Sequence, residues 1–356
     1  MVKTNRNGKI ELLRFYFCIS VLLYHICKDI WGGTKLIGST FSFFEHGRTG
    51  VEFFFLVSGF LVAKKVYQTQ NDGVKIGEST FRFIYGKINS VFLPHIIINC
   101  CIIIFFIVAK DNAGKLIWDR IPSLFFLQKT GISMSYFSAV EWYICSMLLA
   151  LAVIYPMLKK NYDVVARIIA PVASVMLIGY LIQTYNELPS SSHFGTYTYN
   201  GNIRAFADIL LGVFSFEVSR RIKEADLTKI QRVLLIVAEN ICWIFAIYFM
   251  FSQLSRKFEG YVTIALAFAI AVTFSRNITS KIYNNQFVYF LGKISLTVYL
   301  SQNLIRMISN TYLSDLRVRY QILFVTVGTI VFGIAIHYLC IFIRKCAGKR
   351  SKKIKA

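Results

Sequence analysis

Two ionisable residues, Arg14 and His25, lie within the first apolar stretch of the chain. Their separation of eleven residues is close to three helical turns, so both side chains point the same way, about 16.5 Å apart along the axis. Arginine keeps its charge and binds phosphates through a planar fork, whereas histidine exchanges a proton near neutral pH. The pair suits one long molecule with phosphates at one end and a reactive group at the other, such as an acyl-coenzyme A. The alternative is an arginine that reaches the membrane interface and a hydrogen-bonded interior histidine.

The second apolar stretch contains the acid Glu52 near one end and Ser58-Gly59 near its middle. Arg48 precedes Glu52 by one helical turn and lies on the same face. Glycine at the centre of such a helix permits close approach of a second helix or of a ligand chain. No Gly-x-Ser-x-Gly sequence surrounds Ser58, so we interpret this serine as a packing or hydrogen-bonding residue rather than a nucleophile.

The composition shows which elements must position these residues. Of the 356 residues, 56% are hydrophobic and only 16% are charged, which excludes a water-soluble globule, a disordered chain and a disulfide scaffold. The fold class predicted is an all-α polytopic membrane protein with one transmembrane domain over residues 1–345 and a basic tail over residues 346–356. About ten spans are expected, at 11–31, 48–67, 87–109, 141–158, 163–183, 203–219, 232–252, 260–275, 286–306 and 319–344.

The positive charge sets the orientation. The formal net charge is +22, but the basic residues form short clusters between apolar spans, which is typical of topogenic charge rather than of nucleic-acid binding. Most of them fall inside when both termini are cytoplasmic, so this topology is predicted and the lipid bilayer is the expected surroundings.

With this orientation the polar residues divide into two groups. Arg14, Arg82, Lys87 and Lys293 lie toward the cytoplasm, and Glu52, Glu141, Arg204 and Asp208 lie toward the outside. This layout suits a phosphate-rich donor from the cytoplasm and a hydroxyl-rich acceptor from outside. No metal-binding spacing is present, so no metal is expected, and His46, His95, His193 and His337 are interpreted as structural or incidental.

Four motifs in order cover nearly the whole chain: Arg14 with His25; Gly50-Val51-Glu52, Phe54-Phe55 and Ser58-Gly59-Phe60; Trp142-Tyr143 with Tyr155-Pro156; and Leu291-Gly292, Ile294-Ser295 and Tyr299-Leu300. On these motifs the sequence resembles the acyltransferase type 3 family, bacterial multi-pass membrane enzymes that often O-acetylate surface carbohydrate. It departs from the family where members carry an Arg-x-x-Arg run, since only Lys87 is present there. It departs again at Gln302, where members often have histidine, which leaves His25 as the expected base.

The resemblance implies an O-acyltransferase of the bacterial plasma (inner) membrane that moves an acyl group, expected to be acetyl, from acyl-CoA to a carbohydrate hydroxyl. The acceptor would be a polysaccharide, a lipopolysaccharide or a capsule unit. Acyl-CoA is expected as a substrate, with no permanently bound cofactor. The site residues then expected are His25 as general base, Glu52 to orient its imidazole or bind sugar, Arg14, Lys87, Lys293 and Ser58 on the donor side, and Glu141, Trp142, Arg204 and Asp208 on the acceptor side.

Other functions fit ten spans with a polar centre. A transporter or flippase would share this layout, although no inverted repeat or matched pair of broken helices is evident. A polysaccharide polymerase would have a larger outer loop. A purely structural scaffold would not need His25 within the membrane.

Overall fold

The computed structural model describes residues 6–30, 44–70, 72–132, 135–189, 194–195, 197–276 and 281–353. Within these ranges the chain forms ten long helices and no strand. They are α1 (Gly8–Asp29), α2 (Gly50–Gln68), α3 (Ile76–Ala109), α4 (Trp142–Lys160), α5 (Ala170–Tyr185), α6 (Asn200–Glu224), α7 (Lys229–Phe251), α8 (Glu259–Ser275), α9 (Gln286–Tyr312) and α10 (Val318–Lys353). Shorter helical pieces are Gly47–Thr49, Ala113–Trp118, Ile121–Phe125, Ala139–Glu141, Tyr162–Val164, Val165–Ile169 and Arg256–Phe258.

Polar residues at the helix starts fix several boundaries. The Asn7 side chain accepts a hydrogen bond from the Ile10 amide at 3.3 Å at the start of α1. Thr228 and Gln231 form a reciprocal capping box at the start of α7, and Asn285 caps α9 by accepting from Val288 N at 2.9 Å. Each cap satisfies an amide that would otherwise lack a partner in the first helical turn.

Each of the ten predicted spans coincides with one long helix, and the all-α membrane fold is confirmed. Helix α3 begins at Ile76, well before the predicted start at residue 87, because the helix continues beyond the apolar stretch. Seven helical segments are long and apolar enough to cross a membrane, and they contain α1, α3, α4, α5, α7, α8 and α10. The cytoplasmic placement of both termini stays a prediction.

The remaining long helices, α2, α6 and α9, carry charges within their apolar sequence. These include Glu52 on α2, Arg204 and Asp208 on α6, and Lys293 and Arg306 on α9. Most residues of α6 are buried in the bundle. Charged groups at membrane depth are costly in lipid, so helices that carry them are expected in the protein interior.

Glycines bring α2 and α6 together. A Cβ atom on Gly59 would collide with the carbonyl oxygen of Ile209, and one on Gly212 would collide with the carbonyl oxygen of Leu56. The predicted close helix approach at Gly59 is therefore confirmed. This crossing fixes the rotation of α2 relative to α6 and with it the neighbours of Glu52.

Candidate functional site

A cavity of about 460 Å³ lies at the end of the bundle where α1 begins. Its lining contains five cationic side chains, from Arg6, Arg14, Lys87, Lys293 and Arg344, and no aspartate or glutamate among the described lining residues. We call it the basic cavity. A confined site lined by positive charges attracts anions and binds phosphates strongly.

The four residues predicted for the donor side, Arg14, Lys87, Lys293 and Ser58, all line the basic cavity. They come from α1, α3, α9 and α2, and packing alone brings them together. Glu11 is the nearest acid, but its carboxylate oxygens stay 3.8 Å from Nη1 of Arg6 and from Nη1 of Arg14. At that distance Glu11 forms an ion pair with each guanidinium but no hydrogen bond, so the N–H groups of Arg6 and Arg14 are not donated to this carboxylate.

Two cationic lining residues, Arg6 and Arg344, and one lining histidine, His337, were not assigned to the site from sequence. His337 had been interpreted as structural or incidental, yet it lines the cavity from α10. Arg344 donates to the Asn89 and Ser90 carbonyl oxygens at 3.3 Å each, which ties α10 to α3 beside Lys87. The sequence shows that α10 has a basic end, but it does not show that this end packs against α3 near Asn89 and Ser90.

Three aromatic rings line the deep part of the basic cavity, those of Phe54, Tyr143 and Tyr299. Their centroids lie 5.9 Å (Phe54–Tyr143), 6.1 Å (Phe54–Tyr299) and 5.9 Å (Tyr143–Tyr299) apart, so each ring contacts the other two. We call these rings the aromatic triangle. Ser58 Oγ lies nearby and donates to the Phe54 carbonyl oxygen at 2.8 Å.

On α2 and α6, Glu52 forms a buried ion pair with Arg204, and each side chain is 1% exposed. The sequence placed Arg48 on the face of Glu52, but the carboxylate contacts Arg204, because the glycine-mediated crossing turns Glu52 toward α6. The expected role of Glu52 beside His25 or a sugar stays a prediction. The Trp142 ring lies 5.8 Å from the Arg204 guanidinium. Asp208 is fully buried, and neither of its carboxylate oxygens has a hydrogen-bond partner among the described residues. Three of the four predicted acceptor-side residues, Trp142, Arg204 and Asp208, therefore lie in one region. We call them, together with Glu52, the outer cluster.

Arg48 belongs to a different network. It donates to Glu259 through Nη2 at 2.7 Å and to Glu187 at 3.0 Å, and Arg256 also contacts Glu187, at 2.5 Å. Burial alone would raise the pKa of Glu187, but the guanidinium groups of Arg48 and Arg256 outweigh burial and hold this pKa below its ordinary value. The network ties the connection before α2 to the start of α8.

The fourth predicted acceptor residue, Glu141, lies in a separate buried group. Its Oε1 atom is 3.0 Å from His95 Nδ1 and accepts from Asn99 Nδ2 at 2.9 Å, while His95 Nε2 lies 3.2 Å from the Leu124 carbonyl oxygen. His95 and Glu141 are fully buried. The sequence interpretation of His95 as structural or incidental did not name Glu141 as its partner, since the two residues are 46 positions apart.

His25 lies near the far end of α1 from the basic cavity, which it does not line. Its ring is 5.4 Å from that of Tyr24, and the Arg306 guanidinium, which pairs with Asp29, lies close enough to interact electrostatically. The segment 31–43 that follows is outside the described residues. The structure thus separates Arg14 and His25 along α1, as their spacing predicts, and leaves the catalytic role of His25 a prediction.

The fold and these groups define a polytopic membrane protein with a basic interior cavity beside buried acidic residues. The sequence model of a family described as an acyltransferase domain matches residues 7–338, nearly the whole chain. The chain belongs to this family, which confirms the resemblance to type 3 acyltransferases and identifies a membrane acyltransferase. No curated protein matches the chain. No solved structure matches it either.

Proposed function

We propose that this acyltransferase moves an acetyl group from acetyl-coenzyme A to a hydroxyl of a carbohydrate exported through or displayed on the bacterial plasma membrane. The observation that supports the donor is the basic cavity, where five cations face a space without a described acidic lining residue. Coenzyme A combines phosphates with a long neutral arm, and such a molecule matches a cavity that is cationic near α1 and aromatic at its deep end.

On this proposal, Arg14, Lys87 and Lys293 bind the donor phosphates, and Ser58 contacts the arm near the thioester. Arg14 is 31% exposed on its side chain, so a ligand from the cytoplasm reaches it without unfolding the bundle. Arginine offers two parallel N–H groups to a phosphate, and each charge-assisted hydrogen bond is worth about 1.5–3 kcal/mol.

The acceptor hydroxyl lies on the other side, near His25 and the outer cluster. The His25 imidazole takes the hydroxyl proton while the oxygen attacks the thioester carbonyl, the C–S bond breaks, and the departing thiolate receives the proton. Trp142 stacks on a sugar ring, and Glu52, Glu141, Arg204 and Asp208 shape this side. The unpartnered Asp208 carboxylate supports the proposal, because it is free to accept hydrogen bonds from sugar hydroxyls.

Membranes with wild type, His25→Ala and Arg14→Ala, supplied with acetyl-labelled coenzyme A, test the proposal by the alkali-labile label found in surface glycan. Wild type should label glycan, and loss of His25 should lower the rate by about 10²–10⁴-fold. Label unaffected by His25→Ala would overturn the assignment of the base. No label in wild type that is well expressed would overturn acetyl-coenzyme A as donor.

Donor binding by the purified protein separates the phosphate site from catalysis. Arg14→Ala should weaken coenzyme A binding about tenfold or more, and Arg14→Lys should recover only part of the loss, since lysine lacks the fork. Arg221→Ala is the matched control, because Arg221 is an exposed cation at the end of α6 that does not line the cavity. Full affinity in Arg14→Lys would contradict the fork, and equal loss in Arg221→Ala would contradict a specific site.

A further inference from the structure

The aromatic triangle lines the deep end of the basic cavity. Phe54, Tyr143 and Tyr299 come from α2, α4 and α9, and each pair of rings is in contact, so the three rings form one continuous aromatic surface of the lining. All three line the cavity, so a ligand whose phosphates lie among the cations meets these rings with its other end.

The rings are held in place from behind. The Tyr299 hydroxyl donates to the Val140 carbonyl oxygen at 3.0 Å. The Tyr143 ring packs at 4.7 Å from that of Phe55, which in turn lies 6.0 Å from Trp142 of the outer cluster. Tyr143 and Tyr299 are 8% and 5% exposed. Rings fixed by burial and a hydrogen bond form a wall of defined depth.

The wall lies between the donor cavity and the surroundings of His25. Along α9, Tyr299 follows the cavity residue Lys293 by six positions and precedes Arg306, the neighbour of His25, by seven. At 1.5 Å per residue these intervals are about 9 Å and 10.5 Å. An acyl group carried into the cavity therefore reaches the rings before it reaches His25.

We infer that the aromatic triangle selects the acyl group by its length, and that it admits acetyl and excludes chains of about four carbons or more. The inference rests on the proposed function, since it assumes an acyl-coenzyme A in the basic cavity. A two-carbon group adds a single methyl beyond the carbonyl, whereas a longer chain must displace a fixed ring, and methylene-sized differences in a pocket change affinity by about tenfold or more.

Phe54 is the ring to change, because it is apolar and makes no hydrogen bond through its side chain. The variants are Phe54→Ala and the milder Phe54→Leu, with Phe60→Ala as matched control. Phe60 lies on the same helix, is 2% exposed, stacks on Phe274 at 4.1 Å and does not line the cavity. Affinities of the purified full-length proteins for coenzyme A, acetyl-, butanoyl- and hexanoyl-coenzyme A provide a readout independent of transfer.

Wild type and Phe60→Ala should bind hexanoyl-coenzyme A about tenfold or more weakly than acetyl-coenzyme A. Phe54→Ala should reduce this ratio to about threefold or less, with Phe54→Leu between them. A wild-type protein that binds all chain lengths equally, or a folded Phe54→Leu and Phe54→Ala pair with the wild-type ratio, would overturn the inference alone. Absence of binding by any coenzyme A species would overturn the proposed donor as well.

Discussion

Removal of Arg204 is the sharpest perturbation of the buried charges. Arg204→Met keeps a long apolar side chain but leaves Glu52, 1% exposed, and Asp208, fully buried, without the guanidinium that attracts both. Breaking a buried ion pair from one side costs about 3–5 kcal/mol, because an uncompensated charge stays in the interior. The unfolding free energy of Arg204→Met should fall by that amount.

Glu52→Gln, which changes the other partner of the ion pair, should lower the unfolding free energy less than Arg204→Met does. The amide introduced by this change would keep a hydrogen-bond acceptor for Arg204, and Asp208 still interacts electrostatically with the guanidinium. We expect a loss of about 1–3 kcal/mol, mainly from the weaker hydrogen bond to a neutral amide. The asymmetry between the two variants arises because Arg204→Met strands the Glu52 carboxylate in the interior, whereas Glu52→Gln leaves no stranded carboxylate at that position.

The assay is unfolding of the purified protein in mixed micelles with increasing denaturing detergent, with Arg221→Ala as a surface control expected within about 0.5 kcal/mol of wild type. Adding Glu52→Gln and Asp208→Asn to Arg204→Met should restore part of the lost stability, since it removes the stranded charges. An Arg204→Met protein within about 1 kcal/mol of wild type, or one more stable than Glu52→Gln, would refute this reasoning.

Three further outcomes are expected. Gly59→Ala should lose about 1–3 kcal/mol because its Cβ meets the Ile209 carbonyl, whereas Gly179→Ala, with open space around the site, should lose nothing; equal melting temperatures would contradict the close crossing. Because the pKa of Glu187 is lowered in the folded protein, its carboxylate contributes to the free energy of unfolding above the ordinary glutamate pKa of about 4.3, and this contribution is lost as the pH falls through the lower folded value. The stability difference between wild type and Glu187→Gln should therefore close in acid. A constant difference across melting curves recorded at a series of pH values would argue against this. Glu141→Gln should reduce stability by about 1–3 kcal/mol and leave coenzyme A affinity unchanged, since this carboxylate bonds His95 and does not line the cavity; weakened binding in a titration would show otherwise.

The positions of the helices are readable from the sequence, because lipid requires long apolar segments with their backbone satisfied internally. Hydropathy therefore locates ten segments that all prove helical. The separation of Arg14 from His25 is equally local, since helical geometry fixes both distance and direction within α1. The grouping of Lys87 and Lys293 with Arg14 follows from depth alone, as cations near the same membrane face.

Partner choice across helices is not local. Periodicity places Arg48 and Glu52 on one face of a helix, yet Arg48 pairs with Glu259 and Glu52 pairs with Arg204. The choice depends on how closely α2 approaches α6, which the two opposed glycines set through backbone contact. His95 shows the same limit, because its carboxylate partner comes from another helix whose start is carried to this depth by the preceding connection.

The sequence by itself determined the helical membrane fold, the spacing of ionisable residues along each helix and the family, since these depend on composition, spacing and short motifs. Only the tertiary structure decided that six helices (α1, α2, α3, α4, α9 and α10) enclose one basic cavity, that an aromatic triangle lines its deep end, and that Asp208 is buried without a described partner. The reason is physical: the rotation of each helix about its axis is set by side-chain packing with its neighbours, and the sequence of one helix does not contain it.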